Sequence, residues 1–519
     1  MSIIKQKPPK MSNDIYYRPP WTCGKYNADK HVAIMFNLID NSEFFFESDS
    51  ADVIGLILCS RHNGKVFIDE ISKRTDITRE SLLPFFKSLI DYGLLALSIP
   101  KEEEIIEYRK RSIPLTDMSA RKDAYFEENV DTPEATYVKV VSDCIEIENV
   151  MFELTYRCGQ QCIHCYNPGA TRNDEEKCGR GNFSEMGIDD YKRIIDEMSN
   201  AGLVRVNISG GDPFSKDIVW DILDYLYKKD IQFTIFTNGI QLYNQVEKLA
   251  VLYPRQVRIS LYSTDPRIHD SITRVDGSWN KTLKTIERLR NLSIPVVLVC
   301  VVMQPNFKSC LGIKNIGEKY GCQVVYEVCV TDSIDGDICP TRNLRLTPEQ
   351  LEIISMDDSV MPKELRDILP KSSPQDGLPC RAGGDMFCVT PDGDLIPCSS
   401  FHLILGNLKK KNFHDIVKNS KKLQQLRKTK AIQYEECWTH EYCEYCNFCV
   451  GNNYNEHGTI YKAGENGCYI AKARYNLALK INNGENPLGG KSIQDCIESM
   501  PDYVPVALKR IKKKGKRGS

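Results

Sequence analysis

No stretch of this 519-residue chain approaches the eighteen consecutive apolar residues of a membrane span, and its first ten residues, MSIIKQKPPK, contain no apolar secretory core. Neither sign of charge dominates: 68 Lys and Arg face 70 Asp and Glu, a net charge of −2. That balance leaves no electrostatic footprint for nucleic acid or an anionic membrane. The expectation is a cytoplasmic protein with no nucleic-acid or membrane partner, long enough for about three domains. What the chain has in excess is cysteine, 21 residues. At this density and without export, disulfides are a poor explanation and metal–thiolate chemistry is a better one.

The cysteines are unevenly placed. Cys158, Cys162 and Cys165 form a tight triplet, and Cys380, Cys388, Cys398, Cys437, Cys443, Cys446, Cys449 and Cys468 crowd the last third. Cys300, Cys310, Cys322 and Cys329 fall on or beside expected strands and helices and read as core thiols. Cys178 and Cys339 fall in expected loops.

The chain reads as several segments. Residues 1–100 form a small α+β unit of winged-helix-like order. It has a strand pair around Asp40-Asn41-Ser42, a helix over 48–62, a strand at 66–68, helices over 69–74 and 78–92, and a closing strand, LLALS. Its acidic residues (Asp40, Glu43, Glu47, Asp49, Asp52, Asp69, Glu70) argue against phosphate contact. Residues 101–148 read as a charged, partly helical linker. From 149 to 332 strands and helices alternate, with strands expected at 150–154, 205–209, 232–237, 256–262, 295–302 and 323–330. Six such units make an α/β fold, a partial (β/α)6 TIM-type barrel with its site at the strands' C-terminal ends. A bridging segment, 333–379, leads to a Cys-rich region at 380–480. The tail, 481–519, ends in KRIKKKGKRGS, which reads as solvated.

The triplet stands in CGQQCIHCY, just after the first barrel strand. Three thiolates within eight residues can hold three irons of a four-iron cluster; zinc completed elsewhere, or plain buried thiols, are the alternatives. The second strand ends in Ser209-Gly210-Gly211-Asp212-Pro213, where two glycines let backbone approach a ligand closely. The third ends in Thr237-Asn238-Gly239 and the fourth in Ser260-Leu261-Tyr262-Ser263, followed by His269, Asp270 and Arg274.

The conjunction of the three-cysteine loop with a GGDP strand end resembles the radical S-adenosylmethionine (radical SAM) superfamily over about residues 150–330. The resemblance implies that Cys158, Cys162 and Cys165 ligate a 4Fe-4S cluster whose open iron is chelated by SAM. It implies that Ser209, Gly210, Gly211 and Asp212 hold the methionine amine, with Ser260 near the ribose and Arg274 near the carboxylate. It places His164 and Tyr166 against the adenine or the cluster. Reductive cleavage of the sulfonium then yields a 5′-deoxyadenosyl radical, and the protein supplies position and exclusion of water. An electron donor such as flavodoxin or ferredoxin is implied as a partner.

The C-terminal cysteines, with the turn Pro391-Asp392-Gly393 between Cys380 and Cys398, are similar to the SPASM extension of radical SAM enzymes. That extension implies one or two auxiliary 4Fe-4S clusters. The gaps of five, two and two after Cys437 depart from the family's usual spacing and leave each cysteine's cluster open, Cys388 above all. The N-terminal unit resembles the peptide-recognition domain of maturases of ribosomally made peptides, related to the small chaperone of pyrroloquinoline quinone biosynthesis. It implies a leader peptide added as a strand, with a groove expected between 66–68 and the helix 78–92. The resulting expectation is a peptide maturase that installs a thioether or carbon–carbon crosslink. The alternatives are residue oxidation or excision, a sulfatase-type maturase, and a zinc-bearing peptide adaptor.

Overall fold

The computed structural model describes residues 15–112, 132–141, 147–167, 184–331, 341–367, 380–446 and 448–505. Cys178, Cys339 and residues 506–519 lie outside the described residues, whereas the start of the segment expected as a tail, 481–505, carries the helix Ile493–Ser499, which buries Cys496 and packs Ile497 into the main core. Among the described residues no helix is long and apolar enough to cross a membrane.

Alternation of side chains builds the N-terminal unit. Strands β2 (Thr22–Asn27), β3 (Val32–Asn37) and β4 (Ser42–Glu47) pair antiparallel in the order β2-β3-β4. Along β3, Ala33 and Met35 point to one core, while Val32, Ile34 and Phe36 point to another. The hairpin expected at Asp40-Asn41-Ser42 is present: Asn41 takes φ 58°, and Asp40 accepts a 3.0 Å hydrogen bond from the Ser42 amide. Helices α1 (Ser48–Leu58), α2 (Ile68–Thr75) and α3 (Arg79–Asp91) cover the first core. Strand β5 (Lys65–Phe67) pairs antiparallel with β1 (Ile15–Tyr17). The closing strand expected at LLALS is only a single bridge, Ala96 to Tyr17.

The segment expected to be a linker is a seam. Its helices Glu102–Ser112 and Pro133–Val141 bury Tyr108, Tyr137 and Val138. These pack among Trp21, Ile34 and Phe36 of the N-terminal sheet and Val204 and Tyr253 of the barrel. Arg109 lies over the Tyr253 ring at 4.6 Å and donates to the Ala250 carbonyl at 3.1 Å. Arg18, 1% exposed, locks the same junction: its guanidinium binds the Leu58 and Ser60 carbonyls and pairs with Asp230 of the barrel. His62 adds a 3.3 Å contact to Asp230 and stacks on Tyr227 at 4.2 Å.

The barrel has the six expected parallel strands: β6 (Asn149–Glu153), β7 (Arg205–Ser209), β8 (Gln232–Thr237), β9 (Gln256–Ser260), β10 (Val296–Val301) and β11 (Gln323–Glu327). The sheet does not stop at β6. Strand β12 (Met386–Val389) adds parallel to it, with Cys388 opposite Met151, and β13 (Asp394–Ile396) and β14 (Gly406–Asn407) follow antiparallel. The Cys-rich region thus occupies what would be an open sheet edge, satisfying the backbone groups of the first barrel strand.

Candidate cluster and cofactor site

The cysteine triplet sits where β6 runs out. The Leu154 amide still donates to the Ser209 carbonyl, at 2.9 Å, and then the chain leaves the sheet. The end of helix Pro266–Thr273 clamps the loop: the Gln161 and Ile163 amides donate to the Thr273 and Ile272 carbonyls at 2.9 and 3.0 Å. Those carbonyls are available because the helix stops at Arg274, which takes a left-handed φ of 56°. Cys158 is buried, and Cys162 and Cys165 are half-buried. Cys158 Sγ accepts from the Gln160 amide and from Asn238 Nδ2, each at 3.4 Å. N–H donors aimed at sulfur favour the thiolate, the form that ligates metal.

The glycine turn lies against this loop. Gly210 has φ 133°, and a Cβ there would meet the Thr155 carbonyl oxygen at 2.3 Å. A Cβ on Gly211 would stand 2.4 Å from the Arg157 oxygen and 2.5 Å from that of Tyr156. The two glycines are therefore required for strand end and cysteine loop to touch. Ser209 is buried, and the Gly210 carbonyl accepts from Asn167 Nδ2 at 2.9 Å. The Asp212 carboxylate, fully buried, turns inward. Oδ2 accepts from Thr237 Oγ1 (2.7 Å) and the Asn238 amide (2.9 Å), and Oδ1 accepts from the Phe214 amide (3.1 Å). Burial pushes its pKa up and these bonds pull it down, leaving it above its ordinary value. Asp212 ties the ends of β7 and β8 together, so its side chain is committed to the scaffold.

Ser260 ends β9, where its side chain hydrogen-bonds Tyr262. Tyr262 is surrounded by two imidazoles, His164 edge-on at 4.8 Å and His269 stacked at 5.5 Å. His269 is wholly buried, and burial lowers its pKa to about 4, so it is neutral; its Nδ1 accepts from the Tyr262 amide at 3.2 Å. Arg274 is exposed beside the clamp. A charged group absent from the sequence reading lies at the same rim. Glu185 accepts from Thr155 Oγ1 at 2.5 Å and from Lys216 Nζ at 2.8 Å, with Arg157 at 3.6 Å. The signal for it was Arg157, a cation directly before Cys158.

The C-terminal cysteines divide into two groups. Cys398 feels the charges of Cys449 and Cys380, and Cys380 and Cys398, with Cys437 nearby, pack around Ala382, Phe401 and Val450. Cys446 feels Cys468, Cys437 and Cys329, Cys437 feels Cys468 and Cys443, and Cys329 in turn feels Cys449. Burial, reinforced by that crowding, pushes the thiol pKa of Cys398 and Cys446 up to about 12 and that of Cys437 up to about 11. Crowded thiols that resist ionisation alone suit a group that brings positive charge, as iron does. Cys388 stands apart: wholly buried at mid-strand, it faces Glu153 as well as Cys398. Cys300, Cys310 and Cys322 are buried in the main core as expected, whereas Cys329 is half-buried at the edge of the second cysteine region.

Comparison with known proteins agrees with this geometry. Residues 152–308 match the Radical SAM superfamily, and residues 380–449 match the SPASM iron-sulfur cluster-binding domain. The antilisterial bacteriocin subtilosin biosynthesis protein AlbA of Bacillus subtilis is 27% identical over 308 residues, 58% of this chain and 66% of that protein. The AdoMet-dependent heme synthase of Methanosarcina barkeri is 23% identical over 58% of this chain and 90% of its own. Among solved structures, SuiB of Streptococcus suis bound to precursor peptide SuiA covers 87% of this chain and 99% of that one. Its TM-score is 0.50 at 14% identity, a likeness of fold.

Proposed function

The chain is a radical SAM/SPASM enzyme, and from that premise we propose that it matures a ribosomally made precursor peptide by joining two of its side chains. The observation that carries the peptide part is an edge of the N-terminal sheet that has no second strand partner among the described residues. Strand β4 is at the end of its sheet, with the helix Pro133–Val141 packed on it, and its aromatics reach α3 and the residue after it: Phe46 meets Phe85 at 6.1 Å and Phe44 meets Tyr92 at 5.0 Å. An extended leader adds to such an edge through backbone hydrogen bonds, and the apolar side chains beside it select sequence. The groove expected between 66–68 and the helix 78–92 offers a shorter edge, the three-residue β5 paired with β1, and for that reason we favour β4. AlbA, a bacteriocin biosynthesis protein, and SuiB, solved with a precursor peptide, support the reading.

When bound, the 4Fe-4S cluster and SAM supply the radical that removes hydrogen from the substrate. The chain's own residues bind and orient. Cys158, Cys162 and Cys165 ligate, while the backbone of Ser209, Gly210, Gly211 and Asp212 receives the methionine end of SAM. Ser260 and Arg274 serve the ribose and the carboxylate. Cys380, Cys398 and Cys449 belong to one auxiliary cluster; Cys437, Cys443, Cys446 and Cys468 belong to the other. The functional units are leader binding at 1–100, a seam at 101–148, the barrel at 149–332, a bridge at 333–379, auxiliary clusters at 380–480 and a basic tail at 481–519. The reaction runs in the cytoplasm with a flavodoxin or ferredoxin as electron donor.

The test is an anaerobic assay with reductant, SAM and a precursor supplied with or without its leader. Leader-dependent change in the core peptide is expected. Release of 5′-deoxyadenosine with an unaltered peptide, whatever its leader, contradicts the assignment.

A further inference from the structure

The two groups of C-terminal cysteines are unequal. Cys437, Cys443, Cys446 and Cys468 make four, enough to cap every iron of a four-iron cluster, whereas Cys380, Cys398 and Cys449 make three. A small cavity of about 40 Å³ lies between the end of β11 and the Cys-rich region. Its wall holds cysteines of both groups, Cys449 of the three and Cys437, Cys446 and Cys468 of the four, together with Cys329, which lies two residues beyond β11 and outside the matched SPASM segment. Asn452 touches both sulfurs: its amide donates to Cys449 Sγ at 3.4 Å and its side chain to Cys329 Sγ at 3.7 Å. Asn466, 2% exposed, donates to Cys329 Sγ at 3.1 Å. Burial against the main core raises the pKa of the free Cys329 thiol to about 11, and the two side-chain amides aimed at its sulfur are the donors that a metal-bound thiolate accepts.

We propose that Cys329 is the fourth ligand of the auxiliary cluster held by Cys380, Cys398 and Cys449. On coordination Cys329 releases its thiol proton to solvent and lends an electron pair to iron, with no change of oxidation state. The cluster then has no open iron, so it carries electrons and does not bind the substrate. Its ligand set also ties the end of the last barrel strand to the C-terminal region. Cys388, the rival for the position, is wholly enclosed at mid-strand, paired opposite Met151.

The inference rests on the auxiliary clusters of the proposed function, and its test separates the two. Full-length protein carrying Ala at Cys158, Cys162 and Cys165 is reconstituted anaerobically, leaving only the auxiliary clusters. Iron, sulfide and the electron paramagnetic resonance spectrum of the reduced protein are then measured with and without 2-mercaptoethanol. About eight irons per chain and a spectrum indifferent to the added thiol are expected. Cys329→Ala in this background gives a spectrum that the thiol changes, and Cys388→Ala gives one that it does not. Should Cys329→Ala lose its iron, Cys329→Ser keeps an oxygen ligand and must shift the g-values. A background spectrum already changed by thiol, a Cys329→Ala spectrum that is not, or unshifted g-values in Cys329→Ser overturn the inference. Absence of iron and sulfide from the background protein overturns the cluster reading itself.

Discussion

At Gly211 only hydrogen fits, because backbone oxygens of the cysteine loop lie within 2.5 Å of where a Cβ would be. Gly211→Ala must push that loop off the strand end, at a cost of about 1–3 kcal/mol. SAM affinity measured by calorimetry should fall with it, while the auxiliary clusters keep their iron. Asp212→Asn should also cost about 1–3 kcal/mol in denaturant melts, since an amide cannot accept from all three donors that now surround the carboxylate. The GGDP string was legible as a close-approach turn, but the inward use of its carboxylate was not. Its partners, Thr237 and Asn238, are 25 and 26 residues away and meet it only because β7 and β8 are neighbours. Cys329, expected as a core thiol, packs against the main core and also lines a cavity, and a strand-flanking cysteine looks the same in sequence in either setting.

Between elements, the strongest tie is the buried pair of Arg18 and Asp230, which fastens the N-terminal sheet to the barrel. Burial works to raise the Asp230 pKa, but the hydrogen bond from His62 and the Arg18 guanidinium outweigh it and hold the carboxyl below its usual range. An acid depressed in the folded state contributes stability above its unfolded pKa, about 3.9, and loses it as pH falls through the folded value. Asp230→Asn should therefore cost about 3–5 kcal/mol at pH 7 by stranding Arg18, and the difference from the parent in thermal melts should shrink below about pH 4. At the β4–α3 groove, Phe44→Asp with Tyr92→Asp should weaken leader binding by about tenfold, roughly 1.4 kcal/mol, in fluorescence anisotropy. SAM cleavage without peptide should not change. Strand and helix spans of the barrel were readable from their periodicity. Strand β2, TCGKYN, was not, since a glycine and a lysine interrupt its apolar pattern. The helices 102–112 and 133–141 escaped as a seam because each buries only two or three residues, too few to mark a face.

Across the whole molecule one sheet carries the plan. It runs from β11 through the barrel to β6 and on into β12–β14, so the first cysteine loop and the C-terminal cysteines share a scaffold. The N-terminal sheet is fastened to the barrel through Arg18 and the seam helices. Under the proposed function a leader bound on that sheet is kept at a fixed distance from the strand ends, which would turn delivery of the core peptide into an intramolecular event. The central claim, peptide crosslinking started at the Cys158–Cys162–Cys165 site, is tested most directly by tandem mass spectrometry. The sample is a precursor incubated anaerobically with reduced enzyme and SAM. The account predicts loss of two hydrogens localised between two side chains of the core, absent when Cys158, Cys162 and Cys165 are Ala. A core peptide of unchanged mass, alongside active SAM cleavage and bound leader, would contradict it.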